Sequence, residues 1–153
     1  MNGDTKMIRN KGYTLIEILL VLALISILFL IAQPSSRFFA RIKEDRELNE
    51  FRKDIIFCRN KAIVEYKMYY IFLDYGNNEY YITGASGNKD IIKKKSFKYG
   101  LKFKRKGAVE KFGFSPSGAP SISGTIYLIN SRNEEFQLSV APVTGKVSLT
   151  KIK

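Results

Sequence analysis

The sequence predicts an α+β fold carried behind a membrane-type helix. Three observations predict it. An apolar run without helical sidedness occupies residues 13–32. A single apolar stripe at three- and four-residue steps runs from Leu48 to Tyr66. Beyond Met68 the period drops to two, and turn residues separate short apolar runs. One amphipathic helix followed by antiparallel strands is an α+β arrangement, and 153 residues suit one domain with an appendage.

The N-terminal run comes first. From Tyr13 to Ala32, twenty residues carry one charge, Glu17, and the run closes at Gln33-Pro34. As a helix it would extend about 30 Å, the thickness of a bilayer's hydrocarbon core. A helix buried in a soluble core needs one apolar face, whereas this one is apolar all round, so a membrane helix is expected. Lys6, Arg9 and Lys11 precede it. A secretory signal peptide would share that basic start. Its apolar region is usually about 7–15 residues, however, and Leu30-Ile31-Ala32 lacks the small-x-small cleavage pattern. Orientation stays open on charge, because Arg37, Arg41, Lys43 and Arg46 flank the other end. A carboxylate inside such a helix is costly, which makes Glu17 a functional candidate in need of a partner. A Glu snorkelling near a helix end is the plainer alternative.

Pro34 is expected to kink or break the helix, and Ser35-Ser36 to cap a restarted one. Leu48, Phe51, Ile55, Cys58, Ala62 and Tyr66 then form the stripe of an amphipathic helix, with Glu44, Asp45, Arg52, Lys53 and Arg59 between them. Cys58 lies in the stripe and is expected to be a buried, unreactive thiol. Residues 68–73 and 79–83 read as a hairpin around Tyr75-Gly76-Asn77-Asn78, and 84–88 as a loop. Phe97, Tyr99, Leu101 and Phe103 alternate with Lys98, Gly100, Lys102 and Lys104, a strand bending at Gly100. Phe112 and Phe114 lead into a turn at Ser115-Pro116-Ser117-Gly118, and residues 126–129, 136–140 and 146–150 are three further strands.

Composition narrows the chemistry. The chain has no histidine and one cysteine. That excludes His-based acid/base catalysis, His-containing triads, an internal disulfide and a four-Cys zinc site. No Gly-rich phosphate loop with its Lys-Ser/Thr is present. Asp74, Asn77, Asn78 and Glu79 do not follow EF-hand spacing and read as turn chemistry. Neither enzyme activity nor a cofactor or metal is expected.

The net charge of +12 comes from 26 Lys+Arg against 14 Asp+Glu. Setting aside Lys6, Arg9, Lys11, Asp4 and Glu17 leaves +11 beyond Pro34. Lys93, Lys94, Lys95, Lys98, Lys102, Lys104, Arg105 and Lys106 crowd fourteen residues, and Lys151 and Lys153 add to the C-terminus. Three readings follow: a sequence-blind nucleic-acid surface, a solvated edge that discourages strand pairing, or attraction to anionic wall polymers or lipid head groups.

Lys11-Gly12-Tyr13-Thr14-Leu15-Ile16-Glu17 ahead of an apolar helix resembles the class III leader of type IV prepilins and type II secretion pseudopilins. The resemblance implies a leader over 1–12, a transmembrane and assembly helix over 13–34, and an extracytoplasmic globular domain over 35–153. It further implies cleavage between Gly12 and Tyr13 by a prepilin peptidase, with N-methylation of Tyr13, although the family's first residue is most often Phe. Glu17 would become the fifth mature residue and would meet the amino terminus of a neighbouring subunit, each charge satisfying the other. Pro34 falls where these helices carry a proline, twenty-one residues after Tyr13. The implied fold is the pilin fold, a long N-terminal helix, half membrane anchor and half amphipathic, packed on antiparallel β-sheet. Phe114-Ser115-Pro116-Ser117-Gly118, Gly124-Thr125-Ile126-Tyr127-Leu128 and Val143-Thr144-Gly145-Lys146-Val147 resemble the GspH/FimT group of minor pseudopilins. The implied partners are other pilins, the peptidase and the membrane platform of the assembly machine. The implied role is a filament subunit for secretion, pilus assembly or DNA uptake, with a DNA-binding receptor pilin as the alternative.

Overall fold

A computed structural model describes residues 12–31, 36–85, 90–107, 109–122 and 124–153. The chain divides into two compact units, Met1–Ser36 and Arg37–Lys153. In the first, helix α1 spans Leu15–Ile31 and none of its residues is buried. Its start is set locally. Thr14 lies just before the helix, and the Glu17 N–H donates to the Thr14 carbonyl at 3.1 Å and to its Oγ1 at 3.4 Å. Thr14 and Glu17 thus have the spacing of a capping box, with the acid also placed at the positive end of the helix dipole. The 17 residues of α1 give a rise of about 25 Å. Among the described residues no helix is long and apolar enough to cross a membrane. The predicted run was twenty residues; the helix begins two residues later, after its cap. Pro34 and the expected kink lie outside the described residues.

Helix α2, Ser36–Glu65, belongs to the second unit from Arg37 on. Eight strands follow: β1 Tyr69–Asp74, β2 Glu79–Thr83, β3 Ile91–Ser96, β4 Lys102–Lys104, β5 Lys111–Phe114, β6 Thr125–Ile129, β7 Glu135–Val140 and β8 Val147–Lys151. They form two antiparallel sheets with orders β3-β2-β1-β5 and β4-β6-β7-β8. The α+β class is as predicted. The division into two sheets was not part of the expectation, and its cause is local. Residues 97–101 leave the strand conformation, with Gly100 at φ +106°, so the expected 97–104 strand shrinks to β4 and belongs to the other sheet.

Burial follows the two periods. Leu48, Phe51, Ile55, Cys58 and Ala62 of α2 are buried, as are Ile71 and Leu73 of β1, Tyr80 and Ile82 of β2, and Ile126 and Leu128 of β6. Phe51 packs edge-on to Tyr80 of β2 and Phe103 of β4, with centroids 4.7 and 5.5 Å apart, so α2 lies across both sheets. Tyr66, the last residue of the predicted stripe, is instead 82% exposed. Its φ of +53° ends the helix in the left-handed region, where Gly is the usual occupant. Cys58 is fully buried, and burial pushes its thiol up to about 12, which leaves no thiolate at neutral pH.

Candidate functional site

The sequence points to two regions, the junction at Gly12-Tyr13 and the basic run. At the junction, residues 12–14 are non-helical and exposed, and Tyr13 is 80% exposed. A Cβ built on Gly12 meets nothing within 4 Å. The Gly12–Tyr13 bond therefore sits in accessible, non-helical chain just outside the helix cap. Glu17 lies in the first turn of α1, and with Tyr13, Ile18, Val21 and Leu22 it lines a shallow hollow of about 290 Å³ on an otherwise apolar helix. The spacing Thr14-x-x-Glu17 that accompanies this cap is itself visible in the sequence. The cap bonds are made by the Glu17 backbone N–H and not by its carboxylate.

The basic run is not one patch. Lys93, Lys94 and Lys95 are on β3, the edge of the first sheet, while Lys102 and Lys104 are on β4, an edge of the second. Lys151 is on β8, at the opposite edge from β4. Alternation along β3 sends its lysines to different partners. Lys93 pairs with Asp54 of α2 at 2.5 Å, and Lys95 with Glu50 at 2.9 Å, both toward the helix. Lys94 points the other way and pairs with Glu79 at 2.6 Å. Lys104 pairs with Glu135, and Lys151 with Glu134 at 2.5 Å. The hydrogen bond that Lys94 donates to Glu79 raises the Lys94 pKa. Burial works against the charge on Lys95, yet Glu50 and Asp54 raise its pKa on balance. Arg105 lies over the Tyr75 ring at 5.7 Å and Lys106 over Tyr127 at 5.1 Å. Lys98, Lys102 and Lys153 are in no ion pair among the described residues. Half of the ten candidate bases are thus already neutralised, and the edge-strand placement fits protection against stray pairing.

Two of the acids that receive these lysines, Glu50 and Asp54, belong to an acidic row on α2. Glu44, Glu47, Glu50 and Asp54 recur at three- and four-residue steps. Glu44, expected on the solvent side, is 2% exposed. Its Oε1 accepts the Ser131 N–H at 3.2 Å, and a Cβ on Gly100 would meet that oxygen at 2.6 Å. Glu47 accepts the backbone N–H groups of Lys98 and Tyr99 at 2.6 and 3.2 Å. Asp54, also buried, accepts the Tyr80 hydroxyl at 2.7 Å. Burial and this carboxylate both drive the Tyr80 pKa upward. Phe51 and Ile55 bury their side chains beside these acids, so the helix presents a mixed apolar and acidic face to the sheets.

Two further positions organise the loops. Asn78, at φ +55°, donates from Nδ2 to the Leu101 carbonyl at 2.7 Å and accepts the Phe103 N–H at 2.9 Å. It ties the β1–β2 hairpin to β4. Asp74 closes that hairpin by accepting the N–H groups of Gly76 and Asn77 at 2.8 and 3.0 Å, an Asx turn as the sequence predicts. Arg59, read as a polar-face residue, reaches between the turns after β5 and β7. Its Nε donates to the Gly118 carbonyl and its Nη2 to the Thr144 carbonyl, each at 3.1 Å. The segments 114–118 and 143–147, far apart in the sequence, meet at this guanidinium.

Residues 7–33 match the prokaryotic N-terminal methylation motif. No curated protein sequence matches the chain. Among solved structures, the minor pseudopilin EpsH of the type 2 secretion system of Vibrio cholerae is similar at 13% identity and TM-score 0.57, over 71% of this chain and 97% of that one. The type IV minor pilin FimU of Pseudomonas aeruginosa is similar at 18% identity and TM-score 0.63, over 74% and 92% of the two chains. A second crystal form of FimU gives 20% identity and TM-score 0.56, over 67% and 88%. At these identities the likeness is one of fold.

Proposed function

We propose that this chain, whose N-terminal motif and fold are those of the type IV pilin and pseudopilin family, is a minor subunit cleaved between Gly12 and Tyr13 and N-methylated at Tyr13. The apolar segment 13–34, of which α1 is the described part, anchors it in the cytoplasmic membrane with residues 35–153 outside. The subunit then enters a filament serving secretion, a pilus or DNA uptake, with a GspH/FimT-type role. It is a structural part and carries out no reaction. Its partners are other pilins, the peptidase and the assembly platform, and Glu17 orders docking by meeting a neighbour's new amino terminus.

The observation that carries this reading is the junction itself. An accessible Gly12–Tyr13 bond stands just ahead of a capped helix with no buried residue. Large apolar side chains exposed along all of α1 need lipid or other helices to cover them. Cleavage at Gly12 removes none of the cap, because Thr14 stays with the product. The alternative of a DNA-binding receptor pilin draws less support, since the bases proposed for it lie on separate sheet edges and half are paired. Intact mass and N-terminal sequencing of the membrane-extracted protein test the proposal. A chain starting at N-methyl-Tyr13 is the expected result, and a chain retaining residues 1–12 in a host with an active prepilin peptidase would refute it.

A further inference from the structure

We propose that the cleft between the N-terminal half of α2 and the segment after β3 is a receptor for an acidic segment of a different protein chain. The hollow has a volume of about 400 Å³, enough for one or two side chains and the peptide that bears them. Lys43 and Arg46 line it from α2, and Lys98 and Tyr99 from the opposite wall. Two carboxylates also line it, and both are engaged. Glu47 holds the Lys98 and Tyr99 backbone N–H groups, and Glu50 pairs with Lys95. Lys43, Arg46 and Lys98 are in no ion pair among the described residues. The Lys43 ammonium stands 4.8 Å over the Tyr99 ring, which keeps it at the cleft. Three unspent cations around one hollow repel each other until an anion enters.

Charge complementarity selects the occupant. A second copy of this chain is disfavoured by its net charge of +12, which opposes its approach to a cationic cleft. A nucleic acid presents an unbroken row of phosphates, about one charge per 1.7 Å of duplex. Such a row would run into Glu47 and Glu50 as well as the cations. A peptide with separated carboxylates sets them against Lys43, Arg46 and Lys98 and leaves neutral positions opposite the two acids. The partner is therefore an acidic chain. This inference goes beyond the filament reading and survives without it, because the cleft lies wholly within the second unit.

The test uses the full chain in a neutral detergent and a fluorescein-labelled peptide alternating Glu and Gly, read by anisotropy at low and physiological ionic strength. Its Gln-Gly counterpart and a labelled DNA duplex are run beside it. The Glu peptide is expected to bind in a salt-sensitive way, and the Gln peptide not to bind. Lys43→Glu with Lys98→Glu should weaken binding by roughly tenfold or more. Lys146→Glu with Lys153→Glu changes the net charge equally, away from the cleft, and should leave the affinity nearly unchanged. Lys43→Gln with Lys98→Gln repeats the measurement should the reversed pair fail to fold. Glu17→Ala should bind as the parent does, which separates this proposal from the filament one. Absence of Glu-peptide binding at low ionic strength, equal loss in both reversed pairs, or tighter and cleft-dependent binding of the duplex would each overturn it.

Discussion

Gly145 and Gly118 touch. A Cβ on Gly145 would lie 2.2 Å from the Gly118 carbonyl oxygen and 2.7 Å from Nε of Arg59. The same carbonyl accepts the Arg59 Nε–H, so two turns, one following each sheet's strand, are closed around one guanidinium. Both glycines have positive φ, +79° at Gly118 and +63° at Gly145.

Gly145→Ala should accordingly destabilise the protein by about 2–4 kcal/mol, combining the left-handed backbone cost with a clash against fixed backbone. Gly107 provides the control. It shares φ +63°, but a Cβ there meets nothing within 4 Å, so Gly107→Ala should cost only about 1–2 kcal/mol. Denaturant midpoints of the two variants, compared with the parent, measure the difference.

Asp54 holds the next weak point. Asp54→Ala leaves the buried Tyr80 hydroxyl without its acceptor and frees Lys93 from its pair. Lys93 can turn toward water while the hydroxyl cannot, which puts the expected loss at about 2–3 kcal/mol. Tyr80→Phe removes one hydrogen bond, keeps the Asp54–Lys93 pair, and should cost about 1 kcal/mol. Equilibrium unfolding followed by tyrosine fluorescence ranks the two.

Glu134 makes the β6–β8 end sensitive to acid. Hydrogen bonds from Lys151, Asn130 and Arg132 hold its pKa at about 2, below the ordinary value of about 4.3. A depressed carboxylate stabilises fully above its unfolded pKa, and that stability drains as the pH falls through the ordinary range toward 2. Glu134→Gln should therefore flatten the loss of stability between about pH 4 and 2. Acid titrations of parent and variant, followed by near-ultraviolet circular dichroism, give the slopes.

Glu17→Ala should leave α1 helical and the protein at normal membrane levels, because the cap bond is made by the Glu17 backbone N–H. Incorporation into filaments should fall sharply. Immunoblots of sheared filament and membrane fractions compare the two pools, and a variant that assembles as well as the parent would remove the docking role.

Legibility in the sequence tracked how cleanly each residue's period was displayed. Leu48, Phe51, Ile55, Cys58 and Ala62 announced the buried face of α2 through spacing alone, and the β1–β2 hairpin through Asp74 to Asn78. Strand β3 was hidden because Ile91-Ile92-Lys93-Lys94-Lys95-Ser96 shows no alternation of polarity. The alternation is in the partners: Lys93 and Lys95 face acids of α2, and Lys94 faces Glu79. The basic run looked like one surface because linear density carries no information about where the chain crosses from sheet to sheet, as it does around Gly100. Glu44 and Arg59 depart from a solvent-facing placement for a related reason. Charged residues beside an apolar stripe read as solvent-facing unless their distant partners, Ser131 and the carbonyls of Gly118 and Thr144, are known.

The acidic face of α2 has a mechanical consequence. Glu44, Glu47, Glu50 and Asp54 are anchored at successive levels along the helix to Ser131, the 98–99 backbone, Lys95 and Lys93. A pull along the helix axis loads these contacts together in shear, whereas a pull across it would peel them one after another. Sliding by one turn, about 5.4 Å, would have to break all of them at once and would drag Phe51 out of its aromatic nest. The second unit is thus built to resist tension delivered lengthwise through its helix.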